Sequence, residues 1–444
     1  MMSKKTIKWL TWTGIVMPII FVFYFVNKYG FTVPFWDEWD YVILLEKFHN
    51  HTLTFTDMWV QHNEHRMFFT NIQMLFLANL SGWNIMLELY CSIIYAALSL
   101  YFLISLLDDT ISSESSYILK IVISFLMFSM IQYENWSMGF SVQYYMAMTG
   151  VIVSIWSINK WQGQMRGLII AVLASIFAIF SFGAGLFICP VILFMLIFQK
   201  KWKLKHILIW IATCFVITCV YYYNYNILEG NPSLSYSLSH PVLFIRYVLV
   251  YLGSPLGQTI VYSSLVTIIL FVISVLAIFD IMWLDKDQLI RLIPWIALMI
   301  YTIICACVIY LGRINYGVHQ ALDSRYTTIS TLFIISVIVL LYNSIILHLG
   351  RNKALKRNKI VLIKDMLFIV SVVLLFCCSY IKSYQFGMKE MKRRYEVINR
   401  AAVSLNDPEN ASDEDLKKLC WNPDIVRERM KILNELGIEF NKEK

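Results

Sequence analysis

Three carboxylates lie within four residues just after the first long apolar segment: Asp37, Glu38 and Asp40, flanked by Trp36 and Trp39. Carboxylates are costly to hold against a bilayer, whereas tryptophan is enriched at the membrane interface. Aromatic anchoring therefore explains the tryptophans and leaves the acids unexplained. The residue types predict a general base or a metal ligand that faces a substrate at the membrane surface. The alternative is a solvated acidic loop with aromatic anchors.

A second polar cluster, His62-Asn63-Glu64-His65-Arg66, follows in the same loop. Because the two histidines are three residues apart, they could share a helix face. They could bind a divalent metal, donate hydrogen bonds to a sugar or phosphate, or cap a helix start. Their spacing differs from that of the zinc-protease motif, and the three interpretations stay open.

Two arginines occupy positions that the charge pattern assigns to the outer membrane face. Arg313 ends one apolar segment and Arg325 begins the next, followed by Tyr326. Cations outside run against the positive-inside bias, and a lipid phosphate gripped by guanidinium groups would explain them. Ordinary snorkelling at the interface is the alternative. Glu134 falls at the same face, so acids, histidines and arginines converge there as they do in a binding site.

The composition indicates a polytopic membrane protein. Of 444 residues, 59% are hydrophobic and only 15% are charged, and the mean hydropathy is +0.63. A soluble protein of this size needs far less apolar surface. The net charge of +8 does not indicate nucleic acid, because the basic residues cluster in short loops. Of the nine cysteines, all except Cys420 lie in apolar runs, so we expect no structural disulfide and no zinc cluster.

Apolar runs and loop charges predict an all-α fold of about eleven transmembrane helices, with the N-terminus in the cytoplasm and the C-terminus outside. A transmembrane module covers residues 1–385, including a large first outer loop at 28–66, and a small outer helical region covers 386–444. Basic stretches at 200–205 and 351–359 mark two inner loops. The predicted spans are 9–26, 85–107, 117–131, 142–158, 168–182, 186–198, 207–227, 259–283, 292–311, 326–347 and 366–380.

The acidic stretch opens a large outer loop after an N-in first helix, and this arrangement resembles the GT-C superfamily of integral-membrane glycosyltransferases. The residues that carry the resemblance are Trp36-Asp37-Glu38-Trp39-Asp40-Tyr41 and, as motifs similar to those of bacterial members, His62-Asn63-Glu64-His65-Arg66, Gly312-Arg313 and Ser324-Arg325-Tyr326. The resemblance implies a polyprenyl-phosphate sugar donor, a site at the outer membrane face and an acid of the first loop as the catalytic base. That acid is Asp37, with Glu38 as its neighbour. The C-terminal region is smaller than in larger members, which leaves the acceptor open.

We therefore expect a hexosyltransferase, inverting by resemblance, that moves a sugar from a polyprenyl-phosphate carrier to a hydroxyl of a glycan or lipid-linked glycan. Such a reaction serves O-antigen or cell-surface polysaccharide modification at the outer face of the bacterial cytoplasmic (inner) membrane. Asp37 would be the base, with a pKa raised by the interface, and Arg325 with Arg313 would stabilise the leaving phosphate. The expected substrate-binding residues are Asp40, His62, Glu64, His65, Arg66, Glu134 and Tyr326. No cofactor is certain, and a divalent metal is left open.

Two alternatives belong to other classes of activity. A polysaccharide polymerase or ligase would use the same kinds of residue. A lipid-linked glycan flippase or other transporter should show paired half-repeats and ionisable groups at the membrane midplane. The sequence shows neither, because Glu88 and Asp280 both fall near helix ends.

Overall fold

The computed structural model describes residues 3–111, 116–226, 239–354 and 359–440, and the side chains of these except 4, 349–354 and 359–373. The end of the predicted span at 207–227 and the side chains of the basic stretch 351–359 lie outside the described residues. The only strands in the described ranges form one hairpin, β1 Gln61–His62 paired antiparallel with β2 His65–Arg66. The described α-helices are α1 Lys4–Tyr29, α2 Glu38–His49, α3 Phe55–Trp59, α4 Phe68–Ser81, α5 Ile85–Thr110, α6 Tyr117–Met127, α7 Tyr133–Ser137, α8 Val142–Lys160, α9 Met165–Ile179, α10 Ile188–Phe198, α11 Leu204–Tyr222, α12 Pro241–Gly253, α13 Ile260–Leu284, α14 Lys286–Arg291, α15 Ile293–Arg313, α16 Thr327–Ala354, α17 Lys359–Ala402, α18 Asp413–Leu419 and α19 Pro423–Glu435.

Long apolar helices make this chain a multi-pass membrane protein. In the described part of the chain, seven helices are long and apolar enough to cross a bilayer. They are Lys5–Tyr29, Ile85–Thr110, Tyr117–Ser137, Leu204–Tyr222, Ile260–Leu284, Ile293–Tyr316 and Ser324–His348. Large side chains on their outer faces are exposed, as with Phe215 at 70% and Leu265 at 52%, which suits contact with lipid. The other predicted spans also fall on helices, and the count of about eleven stays a prediction.

Small residues allow the central helices to pack closely. A Cβ atom at Gly150 of α8 would lie 2.6 Å from the Ala174 carbonyl oxygen of α9, so this approach requires glycine. One turn further along, the Ser154 and Ser175 hydroxyls form a hydrogen bond of 3.0 Å. Helix α8 is buried along most of its length. Its first turn therefore has a fixed position, and that turn carries two residues of the site described below.

The first loop, residues 28–66, folds against the C-terminal region. Apolar spacing over 41–48 predicts a short helix on the membrane surface, and α2 confirms the helix. Its Trp39 and Val42 are buried in a second core, together with Leu416 and Leu419 of α18. The Trp36 N–H also donates to the Leu419 carbonyl over 2.8 Å. Protein therefore covers α2, and the C-terminal region lies at the same end of α1 as the first loop.

A continuous helix, α17, joins the predicted transmembrane module to the C-terminal region. The predicted boundary at 385 falls inside this helix, and the division into two units stays a prediction. A Cβ atom at Gly387 would overlap the Met130 carbonyl oxygen, so α17 passes directly over the 3₁₀ turn Met130–Gln132. This close contact holds α17 against the start of α7, which carries Glu134.

Candidate active site

Two cavities meet beside the first loop. One is mainly apolar, with a volume of about 360 Å³, and the other is more polar, with a volume of about 610 Å³. Tyr144, Arg313 and Arg325 line both, so the cavities join at these side chains. The apolar cavity is also lined by Phe182, Phe187, Tyr221, Tyr222, Val308 and Leu311. The polar cavity is also lined by Asp37, Glu134, Gln143, Asp323, Arg394 and Lys418.

Asp37 lies at the start of α2 and faces the polar cavity. Its Oδ2 lies 3.7 Å from His62 Nε2, a distance for ion pairing rather than a hydrogen bond. The preceding residue, Trp36, has a φ of 53°, in the left-handed region that a bulky side chain rarely adopts. The hydrogen bond from Trp36 to the C-terminal region holds this conformation, so that region helps to aim the carboxylate.

The pKa of Asp37 differs from the sequence-based expectation. Burial works to raise it, as expected. The His62 imidazole, and then the guanidinium groups of Arg325 and Arg313, outweigh burial, so the pKa lies below its ordinary value. The expectation of a raised pKa is wrong because it left these three groups out. At neutral pH Asp37 is an ionised carboxylate.

Glu38 points into the protein and lines neither cavity. Its carboxyl is fully buried, and its two oxygens accept hydrogen bonds from the N–H groups of Phe35 at 2.8 Å and Phe140 at 2.7 Å. Burial raises the pKa of Glu38 to about 7, against the effect of these amides. This side chain ties the start of α2 to the turn at Gly139–Ser141, so it fixes the position of its neighbour Asp37.

Asp40 is exposed and lies outside both cavities. Its Oδ2 is 4.0 Å from His62 Nδ1. The His62 ring therefore lies between the two aspartates of α2, while its edge packs on Phe140 with ring centroids 5.3 Å apart. His62 is thus a close neighbour of the Asp37 carboxylate and lies between it and Asp40.

The two histidines lie on a hairpin and not on a helix. His62 and His65 are directly opposite each other across β1 and β2, and the turn between them contains Asn63 at a φ of 48°. The two side chains therefore do not share a helix face, as their spacing would allow. Asn tolerates the left-handed conformation that closes this tight turn. Within the described ranges, no three His, Cys, Asp or Glu side chains are grouped so as to hold a metal ion.

His65 lines the apolar cavity and is neutral. Its ring packs on Phe182, with centroids 4.2 Å apart. Burial, followed by the charges of His62 and Arg313, lowers the pKa of His65 to about 3. Its Nδ1 is buried and has no hydrogen-bond partner among the described residues. The Nδ1 atom of this neutral imidazole can form one hydrogen bond with a bound ligand.

Glu64 connects the hairpin to the first arginine. Its Oε2 lies 2.8 Å from Arg313 Nη2, and its carbonyl accepts a hydrogen bond of 2.9 Å from the Tyr221 hydroxyl. Both partners line the apolar cavity. Glu64 therefore holds Arg313 at the junction of the two cavities.

Arg66 has a structural position. It is buried, and its guanidinium donates to the carbonyls of Tyr221 at 2.5 Å and Trp59 at 2.8 Å, and also to that of Tyr223. It lines neither the apolar nor the polar cavity. Arg66, one of the predicted substrate-binding residues, thus fastens the hairpin to the end of α11.

Arg325 is held from two sides. Its Nη2 pairs with Asp323 at 2.8 Å, and its backbone N–H donates to Glu134 Oε2 at 3.1 Å. The other oxygen of Glu134 lies 2.5 Å from Arg394 Nη2 of α17. Arg325 Nε is buried without a hydrogen-bond partner among the described residues. Tyr326 is buried beneath the guanidinium, with its ring 5.4 Å away.

Sequence reasoning missed several residues of the site. Asp323 lies two residues before Arg325, a spacing that does not by itself indicate an ion pair, so the sequence contains no signal for it. Arg394 belongs to the basic run 392–394, near the start of a region predicted outside, which was a usable signal. There was no signal for Tyr144 in the sequence, because a tyrosine at the end of a span is typical of any aromatic belt.

The sequence matches no protein-family model and no curated protein. The fold is similar to solved structures of an oligosaccharyltransferase from Archaeoglobus fulgidus. One is the archaeal oligosaccharyltransferase AglB in complex with an inhibitory peptide and a dolichol-phosphate, at 14% identity and a TM-score of 0.48, covering 91% of this chain and 58% of that one. Another is the crystal structure of the apo form, at 12% identity and a TM-score of 0.49, covering 91% and 59%. This chain thus spans about three fifths of the length of those structures.

Proposed function

We propose that this protein is a membrane glycosyltransferase that moves a sugar from a polyprenyl-phosphate carrier to a hydroxyl of a glycan or lipid-linked glycan. One observation carries the proposal: Arg313 and Arg325 stand where an apolar cavity meets a polar one that contains Asp37. A lipid phosphate has an apolar chain on one side and a sugar on the other. The two cavities fit those two halves, with the cations at the phosphate between them.

The reaction follows from this placement. The Asp37 carboxylate accepts the proton of the acceptor hydroxyl as its oxygen attacks the anomeric carbon of the sugar. The bond from that carbon to the phosphate oxygen breaks, and its electron pair stays on the phosphate. Arg325 and Arg313 stabilise the charge that develops there. In-line attack opposite the phosphate inverts the anomeric carbon.

The proposal includes the location. The first loop and the C-terminal region are assigned to the outer face of the bacterial cytoplasmic membrane, with the N-terminus in the cytoplasm. The basic inner stretch at 200–205 supports this orientation. The polyprenyl-phosphate donor is then reached from the outer leaflet.

Arg325 provides the test. With purified protein and a panel of polyprenyl-phosphate hexoses, Arg325→Ala should lower kcat/KM for donor consumption by about 100-fold, since one charge-stabilising donor is typically worth that much. Arg325→Lys should recover only part, because an ammonium cannot make the bidentate contact of a guanidinium. Arg246→Ala is the matched control: an exposed arginine of α12 that lines neither cavity. A lysine variant as active as the parent would indicate a plain interfacial cation and contradict the proposal.

A further inference from the structure

We infer that the C-terminal region binds an anionic group of the acceptor, either a diphosphate or a carboxylate, on a wall of the polar cavity formed by Arg393, Arg394 and Lys418. We call this set the cationic wall. It lines the polar cavity and not the apolar one. The inference rests on the proposed function, because it assigns the second substrate of the same site.

The charge of the polar cavity supports a second anion. Its lining contains five cationic side chains, the three of the cationic wall together with Arg313 and Arg325, against the three acids Asp37, Glu134 and Asp323. In the proposed reaction the donor phosphate uses the two arginines at the junction. The cationic wall is then left facing the acceptor side of the cavity, and cations that enclose a cleft favour an anionic ligand.

Arg394 is the fixed member of the wall. Its Nη2 lies 2.5 Å from Glu134 Oε1, and its guanidinium lies 5.3 Å from the centre of the Tyr133 ring. Glu134 also accepts from the backbone N–H of Arg325. The Glu134 carboxylate therefore links the cationic wall, through Arg394, to the turn that carries Arg325, and it fixes their relative placement.

Arg393 and Lys418 are the members free to exchange partners. Arg393 pairs with Glu390, and Lys418 with Asp415, each three residues away on its own helix and each with a partly exposed cation. Exposed pairs of this kind contribute little stability. An arriving phosphate or carboxylate group can therefore replace either partner at small cost, with shorter charge-assisted hydrogen bonds as the gain.

Gln143 adds an independent sign that a polar ligand enters this cavity. It lies in the first turn of α8 and is only 4% exposed. Its Oε1 has no hydrogen-bond partner in the described part of the chain, and the side chain lines the polar cavity. A buried carbonyl oxygen left unpaired is costly, and a sugar hydroxyl is a donor that would satisfy it. A glycan with an anionic group fits both Gln143 and the cationic wall.

The experiment measures binding of inorganic pyrophosphate to the purified full-length protein by isothermal titration. We expect two sites in the parent protein. Arg325→Ala should weaken one, and the double variant Arg393→Ala/Lys418→Ala should weaken the other by about tenfold or more, as the loss of charge-assisted hydrogen bonds implies. Lys392→Ala is the matched control, an exposed cation beside Arg393 that does not line the cavity.

The outcomes separate the two proposals. If the double variant titrates like the parent, the acceptor inference is overturned, whatever Arg325→Ala does. If only Arg325→Ala titrates like the parent, the donor site of the proposed function is contradicted instead. A competition with sodium glucuronate identifies the source of the anion. Displacement of pyrophosphate from the cationic wall by glucuronate supports an acidic sugar, and retention of pyrophosphate supports the diphosphate of a lipid-linked acceptor.

Discussion

Replacing Asp37 by Asn tests the proposed base directly. The substitution keeps the shape and a hydrogen-bonding group at the start of α2 and removes only the negative charge. Glu38 should continue to hold the local fold, because both of its hydrogen bonds come from backbone amides. We therefore expect donor binding to survive and transfer to fall.

The size of the effect follows from the environment of Asp37. A general base contributes roughly two to four decades of rate. His62 and the two junction arginines hold the pKa of Asp37 below its ordinary value, which lowers its strength as a proton acceptor. We expect the lower half of that range, a loss of about two to three decades in kcat. Because the carboxylate stays ionised, the parent rate should be level from about pH 8 to about pH 5 and fall only in stronger acid.

The assay follows release of polyprenyl phosphate from a polyprenyl-phosphate hexose by purified protein, at several pH values. Asp40→Asn is the matched control, since Asp40 also lies near His62 but outside both cavities. It should stay within about twofold of the parent, as expected for an exposed surface substitution. Near-parental turnover by Asp37→Asn would remove Asp37 from the mechanism. An inflection of the parent rate near pH 7 that persists in Glu38→Gln would show that another group is the base.

Three further predictions concern stability and topology. Burial raises the pKa of Glu38 to about 7. Its contribution to stability is therefore complete below the unfolded-state pKa of 4.5, and about 3 kcal/mol of it is lost as the pH rises towards and beyond 7. Glu38→Gln should flatten the dependence of Tm on pH over that interval, and an unchanged slope would refute the assignment. Arg66→Lys should destabilise the protein by about 2 to 4 kcal/mol because an ammonium cannot reach three carbonyls, and a Tm equal to that of the parent would argue against its structural position. In a variant with its nine cysteines replaced, single cysteines at His319 and Glu435 should react with an impermeant maleimide in intact cells while one at Lys205 does not, and protection of Glu435→Cys would invert the orientation of the C-terminal region.

The helices could be predicted from the sequence because the bilayer imposes their length and apolar character. Each predicted span overlaps a helix in the described part of the chain. The hairpin could not be predicted in the same way. A spacing of three residues between His62 and His65 suits a helix face, and the hairpin is fixed by distant groups, such as the Tyr221 hydroxyl on the Glu64 carbonyl.

The charged residues likewise fall into two groups: those whose positions follow from the predicted topology and those whose positions depend on contacts distant in the chain. That Asp37, Arg313 and Arg325 share one face follows from the predicted topology, since each adjoins a span end that the charge pattern places on the same side. The positions of Glu38 and Arg66 follow from contacts across the chain. Glu38 accepts from an amide 102 residues away, and Arg66 donates to carbonyls 155 and 157 residues away. Residue type alone could not separate a charge that meets substrate from one that fastens two segments together.

The two arginines at the cavity junction are already paired with carboxylates. Arg313 is paired with Glu64 and Arg325 with Asp323, each at 2.8 Å. An unpaired charge in a partly buried site is costly, so these acids stabilise the site before a ligand binds. In the proposed reaction, a donor phosphate must then compete with two carboxylates, and its binding is an exchange of partners. The buried, unpaired Nε of Arg325 offers the phosphate a contact that neither acid uses, and this contact favours the exchange.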